Sequence, residues 1–328
     1  PVLRRGGKNS IIADLTLPLG VVMLVLLSEF SFRFDPLELG EAGRLGLIGA
    51  IAIGLYLFRL RPLRFALGIT AVLFAPILLA DTRAILAQER SFFGTYKVET
   101  VAAGRFNLLW HGNTSHGVQM NSGNLRTEPL SYFSRQGPIG QIFAALNQQQ
   151  KLTNIAVVGL GIGTIACYRR PGQAMTFIEI DPVIERLARN PQLFNYLGDC
   201  GDGVDVRLGD GRLSMAEMPD NQFDMIILDA FSSDALPVHL ITREALAVYL
   251  EKLAEGGVVV FNISNRYLDL EPVMADLVLD AGLTGLVQHH DPNRSRPLVS
   301  GTLSTIISSS WVVVGRTQED LALLARDS

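Results

Sequence analysis

The sequence predicts a doubly wound α/β domain behind a strongly apolar N-terminal region. Three observations carry that reading. From Asn154 onward short apolar runs alternate with helical stretches, each run is apolar at successive positions, and glycines and acids recur just past the run ends. A strand that is apolar at successive positions has both faces buried, which calls for a parallel sheet covered by helices.

The elements can be justified in order. Residues 92–101 (FFGTYKVETV) and 106–112 (FNLLWHG) alternate and are aromatic, so they read as short antiparallel strands. The buried runs are IAVVG (155–159), MTFIE (175–179), VDVRL (204–208), DMIIL (224–228) and VVVFN (258–262). Helices are expected near Thr164–Arg170, Pro182–Asn190, Arg212–Met218, Thr242–Leu253 and Glu271–Ala281, and SWVVVG (310–315) is expected to add an edge strand. The predicted divisions are a membrane region over 1–87, a small β domain over 88–150 and a nucleoside-binding α/β domain over 151–328.

Ile11–Phe30, Leu45–Leu60 and Phe65–Ala80 are three apolar segments with short polar connectors, and they are expected to cross a membrane. The chain begins at Pro1, not Met, so further segments are expected upstream. Arg4, Arg5 and Lys8 before the first segment, and Arg59, Arg61 and Arg64 between the second and third, place those ends in the cytoplasm by the positive-inside rule. Three crossings would leave the globular domain outside, against the cofactor read below. One segment is therefore expected not to span, or Arg83 and Arg90 to outweigh the turn. The expected location is the inner membrane, with the α/β domain facing the cytoplasm.

A net charge of −4 and no basic stripe among aromatics exclude a nucleic-acid partner. Cys167 and Cys200 form neither a CxxC motif nor a disulfide framework, which fits a reducing compartment. The five histidines lack metal-ligand spacing, and His289-His290 reads as a strand end or loop, so no metal is expected.

Ligands of such sheets bind beyond the carboxyl ends of the strands. The first run opens into Gly159-Leu160-Gly161-Ile162-Gly163, where glycines let the backbone approach a ligand closely. The second ends at Glu179, placed to accept hydrogen bonds from two ribose hydroxyls, with Asp181 after it. The third ends in Gly209-Asp210-Gly211, whose carboxylate can accept from an adenine amino group, and the fourth ends at Asp229. Thr164 stands where a dinucleotide fingerprint has its third glycine, which favours an S-adenosylmethionine-type nucleoside over NAD.

Together with HGVQ (116–119), EPLSYF (128–133) and ILDAFSSDALP (227–237), these motifs resemble the spermidine synthase family, in particular its membrane-fused bacterial members, over about Ser91–Gly315. The resemblance implies a class I methyltransferase-like sheet preceded by a small β region. It also implies aminopropyl transfer from decarboxylated S-adenosylmethionine to an amine such as putrescine, releasing methylthioadenosine. Carried over by motif, Glu179 holds the ribose, Asp210 the adenine edge, and Gln119 and Tyr132 line the substrate channel. Asp229 is the general base and Asp234 the amine anchor, at a spacing one residue longer than in the family. Two departures stand out. Ile162 replaces the family's aminopropyl-binding Asp, and Tyr132-Phe133-Ser134 replaces its Tyr-His-Glu, so intact S-adenosylmethionine or another acceptor becomes an open alternative. His239 is a candidate substitute acid or base.

Three functions are thus in play: the aminopropyltransferase, a methyltransferase or other alkyl transferase on a membrane-associated acceptor, and a non-catalytic module that senses polyamine or nucleoside. Gly46, Gly49 and Gly54 would allow close helix packing. The expected partners are a small amine, the membrane and a second copy of the chain.

Overall fold

The computed structural model describes residues 17–27, 40–78, 84–102, 104–112, 114–123, 125–230, 237–265, 268–291 and 308–326. Its contacts divide the chain into two units, Pro1–Thr82 and Arg83–Ser328.

The first unit holds helices α1 (17–27), α2 (Gly40–Phe58) and α3 (Pro62–Leu78) around buried Val21 and Val25. The expectation of membrane crossings is corrected here for the second and third segments: among the described residues no helix is long and apolar enough to cross a membrane. The reason is length and charge. The 17 residues of α3 reach about 25 Å at the helical rise, against a hydrocarbon core of about 30 Å. Within α2, Glu41 and Arg44 delay the apolar run to Leu45–Phe58, about 21 Å long. Parts of the first segment lie outside the described residues.

The second unit begins with four antiparallel strands in sequence order: β1 (Ala84–Arg90), β2 (Thr95–Val101), β3 (Phe106–His111) and β4 (Thr114–Met120). Helix α4 (Pro138–Gln148), which the sequence reading left out, follows. Pro138 occupies its first turn, and Ile139, Ile142, Phe143 and Leu146 form one buried stripe at helical spacing.

The main sheet has seven strands: β5 (Asn154–Val158), β6 (Ala174–Glu179), β7 (Val204–Leu208), β8 (Phe223–Leu228), β9 (Leu253–Asn262), β10 (Thr284–His290) and β11 (Ser309–Gly315). Their spatial order is β10-β11-β9-β8-β5-β6-β7. β5 to β9 are mutually parallel, while β11 runs antiparallel to both β9 and β10. The run 310–315 is therefore an interior strand, not an edge. Trp311 and Val314 are fully buried, as an edge strand would not require. The edge is β10, whose alternating exposure hid it from a search for continuous apolar runs. His289-His290 ends that strand.

Burial follows the period of two. Ile155, Val157, Phe177, Met225, Ile227 and Val260 belong to one core, and Ala156, Val158, Ile178, Ile226, Leu228 and Val259 to the other, on the opposite face. Helices cover these faces: α5 (Pro182–Arg189), α6 (Tyr196–Cys200), α7 (Gly211–Ala216), α8 (Arg243–Lys252) and α9 (Glu271–Asp280). The helix expected near Thr164–Arg170 is only a 3-10 turn, Thr164–Tyr168. It is tied to α6 by a disulfide between Cys167 and Cys200, with Cα atoms 5.0 Å apart. That bond corrects the reading of the cysteines and removes their support for a reducing compartment.

Candidate active site

Strand register decides which residues meet. Val158 pairs with Ile178 on one side and Leu228 on the other, and Glu179 pairs with Leu208. The residues just past these pairs therefore emerge side by side at one end of the sheet. Gly159 donates its N–H to Ile178 O at 2.8 Å, Gly209 to Glu179 O at 2.8 Å and Asp229 to Val158 O at 2.9 Å. Glu179 and Asp229 end strands on either side of β5, two strand spacings or about 10 Å apart.

Above this end lies a cavity of about 290 Å³. Its floor includes Gly159, Gly161, Glu179, Asp210, Gly211 and Asp229; its roof comes from the small sheet, with Tyr96, Leu109, His111 and His116. Tyr132 also lines it. Gly159 has φ +101°, and a Cβ there would stand 2.4 Å from Asp229 O, so glycine is what lets the turn after β5 pass this close to the end of β8.

Each acid has a distinct environment. Glu179 accepts from the backbone N–H of Leu160 and of Asp181, both at 2.9 Å. Burial raises its carboxyl above the ordinary value, and those two N–H groups act in the opposite sense. Asp210 caps α7 through Oδ1, which accepts from Leu213 N at 2.9 Å, while Oδ2 lies 3.0 Å from His239 Nε2. At Asp229 burial pushes the carboxyl up to about 7, opposed by a hydrogen bond from Asn262 Nδ2 at 2.6 Å. The Tyr132 phenol is pushed well above its usual value by burial and then by the charge of Asp229.

Seven residues expected at the site from sequence come together around this cavity: Gly159, Gly161, Glu179, Asp210, Gly211, Asp229 and Tyr132. Asp234 lies outside the described residues. Gln119 and Gly163 are placed elsewhere. Gln119 is buried, with its Nε2 donating to Arg126 O at 2.9 Å and its Oε1 accepting from Asn195 N at 2.7 Å, so both amide ends are engaged in tying β4 to neighbouring loops. Gly163, at φ +81°, packs beneath Leu197. Ile162 is also turned away from the cavity, since it is 1% exposed and a Cβ on Gly117 would stand 2.6 Å from it. The sequence reading missed Tyr96, His111 and His116. Alternation marked their strands but not which face would be roofed over a ligand.

No protein-family model matches the chain. Solved structures do. A probable spermidine synthase from Corynebacterium glutamicum superposes with a TM-score of 0.55 at 18% identity, covering 73% of this chain and 86% of that one. The fold is that of the spermidine synthases. The enzyme from Thermotoga maritima gives 0.52 at 12% identity, over 74% of this chain and 76% of its own. The spermidine synthase fold carries a methyltransferase-like α/β sheet of mixed direction, as here. Among curated proteins, a polyamine aminopropyltransferase of Vibrio vulnificus is 32% identical over 124 residues, 36% of this chain and 40% of that protein. An N-terminal histidine N-methyltransferase of Emericella nidulans is 34% identical over 112 residues, 34% of this chain and 20% of its own length. A probable polyamine aminopropyl transferase of Bifidobacterium longum is 31% identical over 111 residues, 33% and 23%. These relatives are named as transferases, and the chain spans less than half the length of each.

Proposed function

We propose that the chain is a spermidine synthase-like aminopropyltransferase, which moves an aminopropyl group from decarboxylated S-adenosylmethionine to an amine such as putrescine. One observation carries this: the described cavity is lined by three carboxylates, Glu179, Asp210 and Asp229, with no lysine or arginine. Such a lining attracts a sulfonium donor and an ammonium acceptor, and it repels a donor that keeps its α-carboxylate. The placement of Ile162 outside the cavity also means that its apolar character does not line the donor's path. The likeness to aminopropyltransferases points the same way.

In this reading Glu179 takes the ribose hydroxyls, and Asp210 with His239 meets the adenine edge. Asp229 faces the carbon bonded to sulfur. The acceptor nitrogen forms a bond to that carbon as the carbon–sulfur bond breaks, its electrons passing to sulfur to leave a neutral thioether, and the nitrogen's proton goes to Asp229. A base whose carboxyl titrates near pH 7 is matched to this task at neutral pH, and two cationic partners in the cavity would bring it back down toward the ordinary carboxylate range. Most of the remaining acceleration is positional, from holding two reactants in line. The proposed acceptor anchor is Asp234. The site faces the cytoplasm in this reading, where such donors are available.

The test is incubation of the protein with decarboxylated or intact S-adenosylmethionine and a panel of amines, with mass analysis of the nucleoside formed. Methylthioadenosine is the expected product. S-adenosylhomocysteine would instead establish methyl transfer, the reading favoured by the N-methyltransferase relative. Tight binding of donor and amine with no turnover would make the chain a sensor.

A further inference from the structure

The environment of Asp229 is built from behind by residues that line no part of the cavity. Asn262 ends β9, is 2% exposed and donates from Nδ2 to Asp229 Oδ1 at 2.6 Å. Its own carbonyl Oδ1 accepts twice from Ser264, from the backbone N–H at 3.0 Å and from the hydroxyl at 2.6 Å. The Ser264 hydroxyl in turn accepts from Ser310 N at 3.0 Å, which anchors the array on β11. Register explains the meeting: Leu228 pairs with Phe261 and Asn262 with Trp311, so Asp229 and Ser310 flank Asn262.

This arrangement fixes the direction of the amide. A backbone N–H can only donate, so the group of Asn262 that faces Ser264 N must be its carbonyl, and its NH₂ must face Asp229. The NH₂ offers hydrogen to the ionised carboxylate and thereby engages one oxygen of Asp229. The other oxygen is left for the cavity.

We propose that Asn262, held in one orientation by Ser264, is a positioning residue that selects which oxygen of Asp229 meets the acceptor amine and favours the ionised carboxylate. The proposal rests on the reading of Asp229 as the base. The other titratable groups around the cavity are Tyr96, Tyr132, Glu179, His111, His116, Asp210 and His239. Each lines the cavity, whereas Asn262 reaches Asp229 from the sheet side.

The experiment is an infrared titration of the Asp229 carboxyl in the full chain without substrate, its band assigned by its loss in Asp229→Asn. Asn262→Ala is expected to raise the titration midpoint by about one pH unit, from the loss of a charge-assisted hydrogen bond. Ser264→Ala is expected to raise it less, and Ser264→Thr, which keeps the hydroxyl, to restore it. With turnover assayed in parallel, Asn262→Ala should lower kcat at neutral pH about tenfold and move the acid limb of its pH profile upward, with donor affinity unchanged. A midpoint unmoved in a folded Asn262→Ala protein would overturn the proposal, as would equal losses in kcat and donor affinity. Should that variant fail to fold, an unmoved midpoint in Ser264→Ala overturns it and a raised one restored by Ser264→Thr supports it. A shifted midpoint in a chain that transfers no aminopropyl group would uphold the positioning role while refuting the transferase reading.

Discussion

At the scale of single residues the proposed chemistry rests on Asp229, because burial raises its carboxyl and it lines the cavity. Asp229→Asn keeps the shape and removes the proposed base. It is expected to lower kcat at least a hundredfold while leaving donor affinity nearly intact, as measured by steady-state rates beside calorimetric binding. The same group makes a prediction about stability. Its folded value near 7 lies above the ordinary 3.8, so between those limits the folded chain holds a proton that the unfolded chain has lost. The stability contributed by Asp229 is thus fully present below about pH 4 and is lost as pH rises through about 7, by up to about 4 kcal/mol. Urea unfolding at pH 5 and pH 9 should show a smaller decline in Asp229→Asn than in the native chain; equal declines would place the dependence on other groups.

Among the elements, the turn after β5 is the least tolerant of change. Gly159 at φ +101° abuts Asp229 O, so Gly159→Ala meets both backbone strain and a steric clash. It is expected to destabilise the domain by about 2 kcal/mol or more and to weaken donor binding. Thermal unfolding together with donor titration would check this. The turn beyond it depends on a covalent tie. The disulfide spans 33 positions and joins the 3-10 turn Thr164–Tyr168 to α6, whose Leu197 packs against Gly163. Chain-entropy reasoning gives a loop of that length about 3.7 kcal/mol. Replacing both cysteines by serine, or reducing the bond, should lower unfolding stability by roughly that amount, and no change on reduction would show that the tie contributes nothing. Helix starts and strand runs were legible in the sequence because their causes are local. Asp181 before Pro182 and Thr242 before Arg243 cap α5 and α8 by accepting from backbone N–H groups two and three residues on. The cysteine pairing was not legible, since the two positions are brought together only by the packing of α6 against the loop.

For the whole molecule, the small sheet and the large one form a single unit with the cavity between them. The carboxylates come from the large sheet, and the aromatic and histidine roof comes from the small one. The charge of this lining and the likeness to aminopropyltransferases are the two supports of the cationic donor and acceptor proposed above.

By itself the sequence determined the alternation of strands and helices, the glycine turn and the row of acids at strand ends, because period-two burial and turn chemistry are properties of neighbours along the chain. The tertiary structure alone decided the insertion of β11 between β9 and β10, the removal of Gln119 and Ile162 from the cavity, and the partnership of Asn262 with Asp229. Those outcomes depend on register between strands distant in sequence. A shift of one residue there would turn every side chain to the other face.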